Sequence, residues 1–390
     1  MKADSAGRAK ARSASKFDLL GKLLTVLFLL FVFLLGVKGL GDGFKLLGRD
    51  LLEAFFSATE NPFIALMIGI LSTTLVQSSS VSTSMIVGLV AAPENPLPVA
   101  NAVPMIMGTN IGTTVTNTVV ALGHLGRREE FRRAFAVATC HDFFNFLTVA
   151  VLLVFELLTG YLRRTASLLT SLFGDVSGVR YESPLEGVLR VGLSPVEGLS
   201  QALFESPQLQ GALIIGVSAL FIFAALFLLV KTMRTAMQSR VEVFLSRFLN
   251  QSGVLSILVG VIVTVMVQSS SITTSLLVPL AGAGMITLQQ AFPIALGANI
   301  GTTLTALIAS MAVSGVNARF GVTIALVHLL FNLTGTLMVY PVKAIRQVPL
   351  KMAQRLADVA ANSRQWALAY VIILFYGLPA LFAFAARLFD

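Results

Sequence analysis

Residues 69–84 read GILSTTLVQSSSVSTS, and residues 260–275, which lie 191 positions later, read GVIVTVMVQSSSITTS. A second pair follows in the same order, with PMIMGTNIGTT at 104–114 and PIALGANIGTT at 293–303. Apolar segments resemble one another easily, but chance does not reproduce polar words such as QSSS and NIGTT in register. The sequence therefore predicts a duplicated protein in which each half carries one copy of both words.

The composition places this duplication in a membrane. Hydrophobic residues make up 56% of the chain and charged residues only 12%, whereas an average soluble domain is about 25% charged. Residues 17–37, 211–230 and 366–388 each run for roughly 20 residues with few charges, which is enough to cross the ~30 Å hydrocarbon layer. The sequence thus predicts an all-α integral membrane protein.

Part of the formal charge of +9 lies in a basic tail ahead of the first apolar segment. Residues 1–16 hold five Lys and Arg residues, and a basic tail before a first span indicates a cytoplasmic N-terminus. A cleaved signal peptide is the alternative, but the apolar segment is long for one and no convincing cleavage site follows it. We therefore expect no nucleic-acid partner, and a multi-pass protein of the inner or plasma membrane.

The spacing of the words predicts how each half crosses the bilayer. Residues 62–92 form a segment with QSSS near its middle, and at about 31 residues it is shorter than the roughly 40 that two crossings need. Arms of about 15 residues rise only ~22 Å, so we expect a re-entrant helical hairpin with QSSS at its tip. NIGT predicts a spanning helix that is broken at residues 108–112. Each half then has three crossings and a hairpin, and this odd number inverts the second half.

These crossings divide the chain into six segments. Two inverted repeats, each with spanning helices, a hairpin carrying QSSS and a broken helix carrying NIGT, form the body of the predicted fold. A connector on the outer face joins them, and an extra span has no repeat partner. The predicted boundaries are 1–16 for the cytoplasmic tail, 17–160 for the first repeat, 161–210 for the connector, 211–342 for the second repeat, 343–365 for a polar loop and 366–390 for the extra span.

The polar words supply ligands for a small anion and for sodium. Irregular backbone at membrane depth survives only where protein or water satisfies it, and inverted repeats with interrupted helices place a substrate site between the halves. Freed helix N-termini attract anions, while amide and hydroxyl oxygens suit sodium. Neither copy contains Arg, Lys or His, so neutral donors would hold the anion and cations would balance its charge. The predicted anion ligands are Gln77, Ser78, Ser79, Ser80, Gln268, Ser269, Ser270, Ser271, Asn110 and Asn299.

One ionisable residue lies inside a predicted span. Asp142 is costly there and is a functional candidate by default, but a salt bridge to a nearby arginine or to His141 is the structural alternative. The matching position in the second half is Leu329, although His141 itself recurs as His328. Asp142 therefore predicts a cation site that only the first half has. The predicted sodium ligands are Asn110, Thr113, Thr114, Asp142, Asn145, Asn299, Thr302, Thr303 and Asn332.

The paired words resemble those of the type II sodium–phosphate cotransporter family. The run EEFRRAFAVATCHDFFNFLTV at 129–149 is also similar to the sequence of that family. The resemblance covers residues 61–158 and 249–340, and it implies sodium-driven symport of inorganic phosphate without a cofactor beyond the coupling ion. The connector lacks the cysteines and glycosylation acceptors of the loop in animal members, which is typical of a bacterial member.

A finer pattern in the resemblance implies the stoichiometry. Electrogenic members carry A-x-A-x-x-H-D, which this chain matches at Ala136, Ala138, His141 and Asp142, whereas electroneutral members replace the alanines and the aspartate. The resemblance therefore implies three sodium ions per divalent phosphate. Three sodium ions would neutralise a phosphate dianion together with one carboxylate, so the charge count agrees. We expect the loaded site to reorient by alternating access.

Three other functions remain open from the sequence. Sulfate or another oxyanion could replace phosphate, because neutral donors alone do not choose between them. A channel could use polar re-entrant loops, although an inverted duplication favours a carrier. An intramembrane hydrolase could use a serine with His141 and Asp142, but there is no GxSxG setting and the serines of the QSSS words form two symmetric clusters. Nothing in the sequence indicates an oligomeric state.

Overall fold

A computed structural model describes residues 21, 24–36, 38–39, 42–43, 46, 57–92, 95–174, 184–225, 228, 253–311, 313 and 315–382. Within these residues every regular element is a helix. The predicted basic tail at 1–16 lies outside them, as do the start of the first predicted span and the end of the extra span.

The longer helices are numbered here in chain order. They are α1 Leu24–Gly36, α2 Pro62–Val76, α3 Ser79–Val90, α4 Val99–Thr113, α5 Val115–Leu122, α6 Arg128–Thr159, α7 Tyr161–Gly174, α8 Pro184–Leu203, α9 Pro207–Ala225, α10 Gly253–Val267, α11 Ser270–Gly282, α12 Leu288–Met311, α13 Ala318–Val339, α14 Lys343–Asn362 and α15 Arg364–Phe382. Five of them, α6, α9, α12, α13 and α15, are long and apolar enough to cross a membrane. The predicted class, a helical membrane protein, is confirmed.

Two short helical hairpins, α2–α3 and α10–α11, turn at the two QSSS words. Asn61 starts the first hairpin, because its side-chain oxygen accepts a hydrogen bond from the N–H of Phe63 at 3.0 Å. Gln77 ends α2 with a left-handed φ of 57°, and Gln268 follows α10 with a φ of 56°. A left-handed residue cannot continue a right-handed helix, so each QSSS word forms the turn of a hairpin. That these hairpins are re-entrant stays a prediction.

Two pairs of glycines allow the hairpins to pack closely on the NIGT helices. A Cβ on Gly69 or Gly108 would overlap a backbone oxygen of the facing helix, where α2 meets α4. A Cβ on Gly260 or Gly297 would do the same where α10 meets α12. Small residues of this kind let membrane helices approach until their backbones touch. The glycines of the repeated words therefore fix how each hairpin lies on its neighbour.

The predicted break of the NIGT helices at residues 108–112 is wrong. The helix α4 continues through this stretch and breaks only at Thr114, and α12 runs unbroken through the second copy. The polar side chains bond to their own helix without displacing its backbone, as Ser and Thr hydroxyls often do. Asn110 Nδ2 donates to the carbonyl one turn earlier at 2.9 Å, and Thr113 Oγ1 does so at 2.7 Å.

The predicted polar loop at 343–365 is also wrong, because most of it forms α14. Its buried residues recur every three or four positions, which is the period of an amphipathic helix, and they face α6. They include Leu350, Ala353, Ala357 and Ala360. On the polar side, Arg132 Nη1 of α6 lies 3.3 Å from Asp358 Oδ1. The predicted connector at 161–210 likewise contains two helices, α7 and α8.

The helix that follows each predicted repeat packs on the other repeat. The helix α7 follows α6 in the chain but packs mainly on α13, whereas α14 follows α13 and packs mainly on α6. One buried cluster joins α2, α3 and α4 with α13, and a second joins α6 with α10, α11, α12 and α14. Each cluster therefore holds helices from both halves of the sequence.

We predict that Gly108→Ala and Gly297→Ala each lower the stability of the protein by about 1–3 kcal/mol, because the added methyl group must push two backbones apart. Thermal unfolding of the purified protein measures this loss. Gly216→Ala in α9 is the matched control, because its Cβ would meet no atom within 4 Å. Equal melting temperatures for all three variants would contradict the close packing described here.

Candidate functional site

The two QSSS turns line one cavity of about 740 Å³. Apolar side chains of α2, α3 and α9 also line it, and none of its lining residues in the described part of the chain carries a formal charge. The structure thus brings together eight of the ten predicted anion ligands. They are Gln77, Ser78, Ser79, Ser80, Gln268, Ser269, Ser270 and Ser271.

The side chain of Gln77 is held at the mouth of its turn by two hydrogen bonds. Its Nε2 donates to the carbonyl oxygen of Thr74 at 2.7 Å, and its Oε1 accepts from Thr116 Oγ1 at 3.0 Å. An amide nitrogen has two N–H donors, so one remains for another partner. The left-handed backbone and the two bonds together fix the direction of this donor.

Gln268 is held in the same way in the second half. Its Nε2 donates to the carbonyl oxygen of Val265 at 2.6 Å, and its Oε1 accepts from Thr305 Oγ1 at 3.3 Å. Sequence reasoning missed Thr116 and Thr305 as residues of this site. The signal was present, because the two threonines are 189 positions apart, the same offset as the two NIGTT words.

Each turn opens a helix N-terminus at the cavity. Ser78 caps α3 by accepting from the N–H of Val81 at 3.4 Å, and Ser269 caps α11 by accepting from the N–H of Ile272 at 3.3 Å. The first N–H groups of a helix have no acceptor within it, and they carry the positive end of the helix dipole. Two such ends therefore lie at one cavity whose described lining residues are uncharged, which is a setting suited to an anion.

The NIGT asparagines form a separate buried junction and do not line the cavity. Asn145 Nδ2 of α6 donates to the carbonyl oxygen of Asn110 in α4 at 2.7 Å, and its Oδ1 accepts from Asn299 Nδ2 of α12 at 3.0 Å. The predicted anion ligands Asn110 and Asn299 thus stand apart from the QSSS residues. The Asn145 amide bonds the Asn110 carbonyl oxygen and the Asn299 amide, and it thereby ties together three helices that come from both halves.

The threonines predicted as sodium ligands all donate hydrogen bonds to backbone carbonyl oxygens three or four residues earlier in the chain. Thr113 and Thr302 bond the carbonyl four residues earlier, at 2.7 and 3.0 Å. Thr114 and Thr303 bond the carbonyl three residues earlier, at 2.8 and 2.7 Å. A hydroxyl that donates in this way keeps both of its lone pairs, so each of these oxygens can still act as a cation ligand. Asn332 Nδ2 bonds its own helix at 3.1 Å, and its Oδ1 has no partner among the described residues.

Asp142 is fully buried in α6 and has one engaged and one free oxygen. Its Oδ2 accepts a hydrogen bond from Tyr370 Oη at 2.7 Å, while Oδ1 has no hydrogen-bond partner within the described part of the chain. Thr114 and Thr118 neighbour the carboxyl group. Among the described residues no Lys, Arg or His forms an ion pair with it, so the salt bridge considered from the sequence is not formed there.

The two hairpins differ in the hydroxyl groups buried behind their turns. In the second hairpin Thr264 Oγ1 donates to Thr273 Oγ1 at 2.8 Å. The hydroxyl oxygens at the corresponding positions of the first hairpin, Thr73 and Ser82, have no partner among the described residues, and neither does that of Thr74. Buried hydroxyl groups without partners are costly, so these three oxygens are further candidate cation ligands of the first half.

Comparison with known proteins identifies the family of the chain. Residues 32–174 and 220–354 match the sequence model of the Na+/Pi-cotransporter family, and these segments cover more than half of the chain. The chain belongs to this family. The family predicted from the doubled QSSS and NIGTT words is therefore confirmed, and the cotransporter family offers no support for the intramembrane hydrolase.

Several members of the cotransporter family align with nearly all of this chain. The sodium-dependent phosphate transport protein 2B of Pongo abelii is 33% identical over an aligned length of 457 positions, and the alignment covers 95% of this chain and 66% of that protein. The 2B protein of Homo sapiens is 33% identical over an aligned length of 450 positions, which covers 93% of this chain and 65% of that protein. The 2A protein of Rattus norvegicus is 33% identical over an aligned length of 429 positions, which covers 92% of this chain and 67% of that protein. The chain thus spans about two thirds of the length of these relatives, and no solved structure matches it.

We predict that Asn145→Ala lowers stability by about 1–3 kcal/mol, because it leaves the Asn299 amide and a buried carbonyl without partners. The matched control is Asn332→Ala, since Asn332 occupies the corresponding position of the second half but bonds only its own helix. Thermal unfolding in sodium-free buffer compares the two. An equal loss of melting temperature in both variants would contradict the bridging role of Asn145.

Proposed function

We propose that this protein is a secondary active transporter that carries inorganic phosphate and sodium ions together across a cell membrane. The observation that supports this most directly is the cavity lined by both QSSS turns, in a chain that belongs to the Na+/Pi-cotransporter family. The relatives named above are sodium-dependent phosphate transport proteins, which favours phosphate and sodium as the transported ions.

Phosphate would dock on the N-termini of α3 and α11. The two helix ends and the serine hydroxyl groups would provide donors within the same cavity, and the remaining N–H of each glutamine amide would add another. These donors carry only partial charges, so the anion would be attracted without the tight clamp that arginine residues make. A carrier gains from this because it must release its cargo in every cycle.

The two halves would act as inverted repeats, with the predicted boundaries 17–160 and 211–342. The equivalent local structures at Gln77 and Gln268, and the glycine contacts at the same places of both halves, support this relation. In alternating access, the two hairpins would then exchange their exposure to the two sides of the membrane. The arginine-rich start of α6, where Arg127, Arg128, Arg132 and Arg133 lie, would face the cytoplasm together with the N-terminus.

Sodium would bind at oxygen atoms that accept no hydrogen bond from the described residues. The free Oδ1 of Asp142 is the strongest candidate, because a buried carboxylate needs a cation to offset its loss of hydration. Three sodium ions per divalent phosphate would neutralise both the anion and Asp142 at the moment of crossing. Each cycle would then move one net positive charge, which makes transport electrogenic.

We predict that Ser79→Ala and Ser270→Ala each lower sodium-driven phosphate uptake by about tenfold or more, since a hydrogen bond to a charged group contributes about 1.5–3 kcal/mol. Uptake of radiolabelled phosphate into proteoliposomes with an inward sodium gradient measures this. Ser72→Ala is the control, because the Ser72 hydroxyl bonds the Gly69 carbonyl within α2 and lies outside the cavity.

Near-normal uptake in both cavity variants would reject this location for phosphate. The same assay decides between phosphate and the rival oxyanion. Excess unlabelled sulfate should leave phosphate uptake unchanged if phosphate is the cargo, whereas strong inhibition by sulfate would favour a transporter of other oxyanions. A channel would be recognised by flux that does not saturate with phosphate.

We predict that Asp142→Gly removes the voltage dependence of phosphate uptake, because the variant lacks the carboxylate that accompanies the third sodium ion. Uptake is measured at two clamped membrane potentials. Asp358→Asn is the control, since Asp358 is an exposed carboxylate of α14 that pairs with Arg132. Phosphate uptake by Asp142→Gly that depends on voltage as strongly as that of the wild type would remove Asp142 from the coupling mechanism.

A further inference from the structure

Two features of this chain that have no counterpart in the predicted duplication contact each other. Asp142 corresponds to Leu329 in the second half, and the final span α15 has no repeat partner. The contact between them is the hydrogen bond from Tyr370 Oη to Asp142 Oδ2, at 2.7 Å. A side chain from the added span thus reaches the one acidic residue that the sequence singled out inside the membrane.

We propose that Tyr370 is a positioning residue for a sodium ion at Asp142, and that completing this site is a function of α15. The inference rests on the proposed function, in which Asp142 binds a coupling ion. By occupying Oδ2, the tyrosine hydroxyl directs the other carboxylate oxygen, Oδ1, toward the ion.

The surroundings of the free oxygen suit a hard cation. Thr114 and Thr118 neighbour the carboxyl group, and both hydroxyl groups donate to carbonyl oxygens of their own helical segment, at 2.8 and 3.4 Å. Their lone pairs therefore remain available near the Asp142 carboxyl group. Two hydroxyl oxygens and one carboxylate oxygen are suitable ligands for sodium, whereas Tyr370 donates a hydrogen bond to the carboxylate.

Tyr370 is held firmly enough to act in this way. Its ring packs edge-to-face on Phe135 of α6, with ring centroids 6.3 Å apart, and on Phe375 of α15, at 6.0 Å. The side chain also packs against both buried clusters of the fold. Two residues later α15 changes to a π-helix over Ile372–Gly377. Such π-helical turns are rare and often mark functional sites.

A purely structural bond between α6 and α15 would leave these observations unexplained. Docking a span needs no carboxylate, because a neutral amide accepts the same hydrogen bond at a lower cost of burial. It would also give no reason for one carboxylate oxygen to remain without a partner next to two hydroxyl oxygens. A site that is filled by a cation during the cycle accounts for both.

The experiment measures sodium binding separately from transport. Trp366 is the single tryptophan of the chain and lies one turn before Tyr370, so its emission reports unfolding of the purified protein in sodium chloride or choline chloride. A bound ligand raises the melting temperature by an amount that grows with the logarithm of its concentration relative to its dissociation constant. We expect Tyr370→Phe to shift the dependence of the melting temperature on sodium concentration about tenfold toward higher sodium, the size expected for one hydrogen bond to a charged group.

Two comparisons separate positioning from a structural role. Tyr376→Phe removes a hydroxyl group from the same helix, and we expect its sodium dependence to match that of the wild type. In an Asp142→Asn background, which has already lost the charge, Tyr370→Phe should cause no further change in sodium dependence. The sodium dependence of phosphate uptake should shift in the same way as that of stability.

The inference is overturned if Tyr370→Phe keeps the sodium dependence of the wild type, or if it has the same effect with and without the Asp142 carboxylate. A loss of melting temperature that is equal in sodium and in choline would also overturn it, because this would mark a structural bond alone. Failure of the proposed function is a different result, in which the wild type itself takes up no phosphate with sodium.

Discussion

A helix that stops within a membrane protein releases backbone N–H and C=O groups that water cannot reach, and the rest of this structure depends on how these groups are satisfied. Gln77 and Gln268 end a helix in left-handed conformation and bond the preceding turn, and Ser78 and Ser269 cap the helix that follows. The remaining N–H groups at the start of α3 and α11 face a common cavity. The same four-residue word therefore stops one helix, starts another and places hydrogen-bond donors at the cavity between the halves, where our proposal puts the anion.

The surrounding fold holds these turns in place through contacts that recur in both halves. Glycine pairs bring each hairpin against its NIGT helix, and threonines of those helices hold the two glutamine amides. Asn145 joins α4 to α12, and α7 and α14 each pack on the half to which they do not belong. In our proposal these repeated contacts frame the phosphate site, while the unrepeated Asp142, which α15 contacts through Tyr370, supplies the charge that couples transport to voltage.

The sequence was most informative where polar residues recur in apolar segments. The words themselves indicate where helices turn and which eight side chains meet at the cavity. Two expectations are wrong because polar residues do not mark irregular backbone in these segments. The side chains of Asn110 and Thr113 bond their own helix, and α14, which forms from a polar segment, buries an apolar face. The bond between Tyr370 and Asp142 joins positions 228 residues apart, and no periodicity or motif announces such a contact.

The central claim is that the cavity between the QSSS turns moves phosphate together with an excess of sodium. The most direct test is uptake of radiolabelled phosphate by wild-type proteoliposomes, with and without an inward sodium gradient and at two clamped membrane potentials. The account predicts saturable uptake that requires sodium and increases when the inside is negative. Folded protein that shows no sodium-dependent phosphate uptake would contradict it.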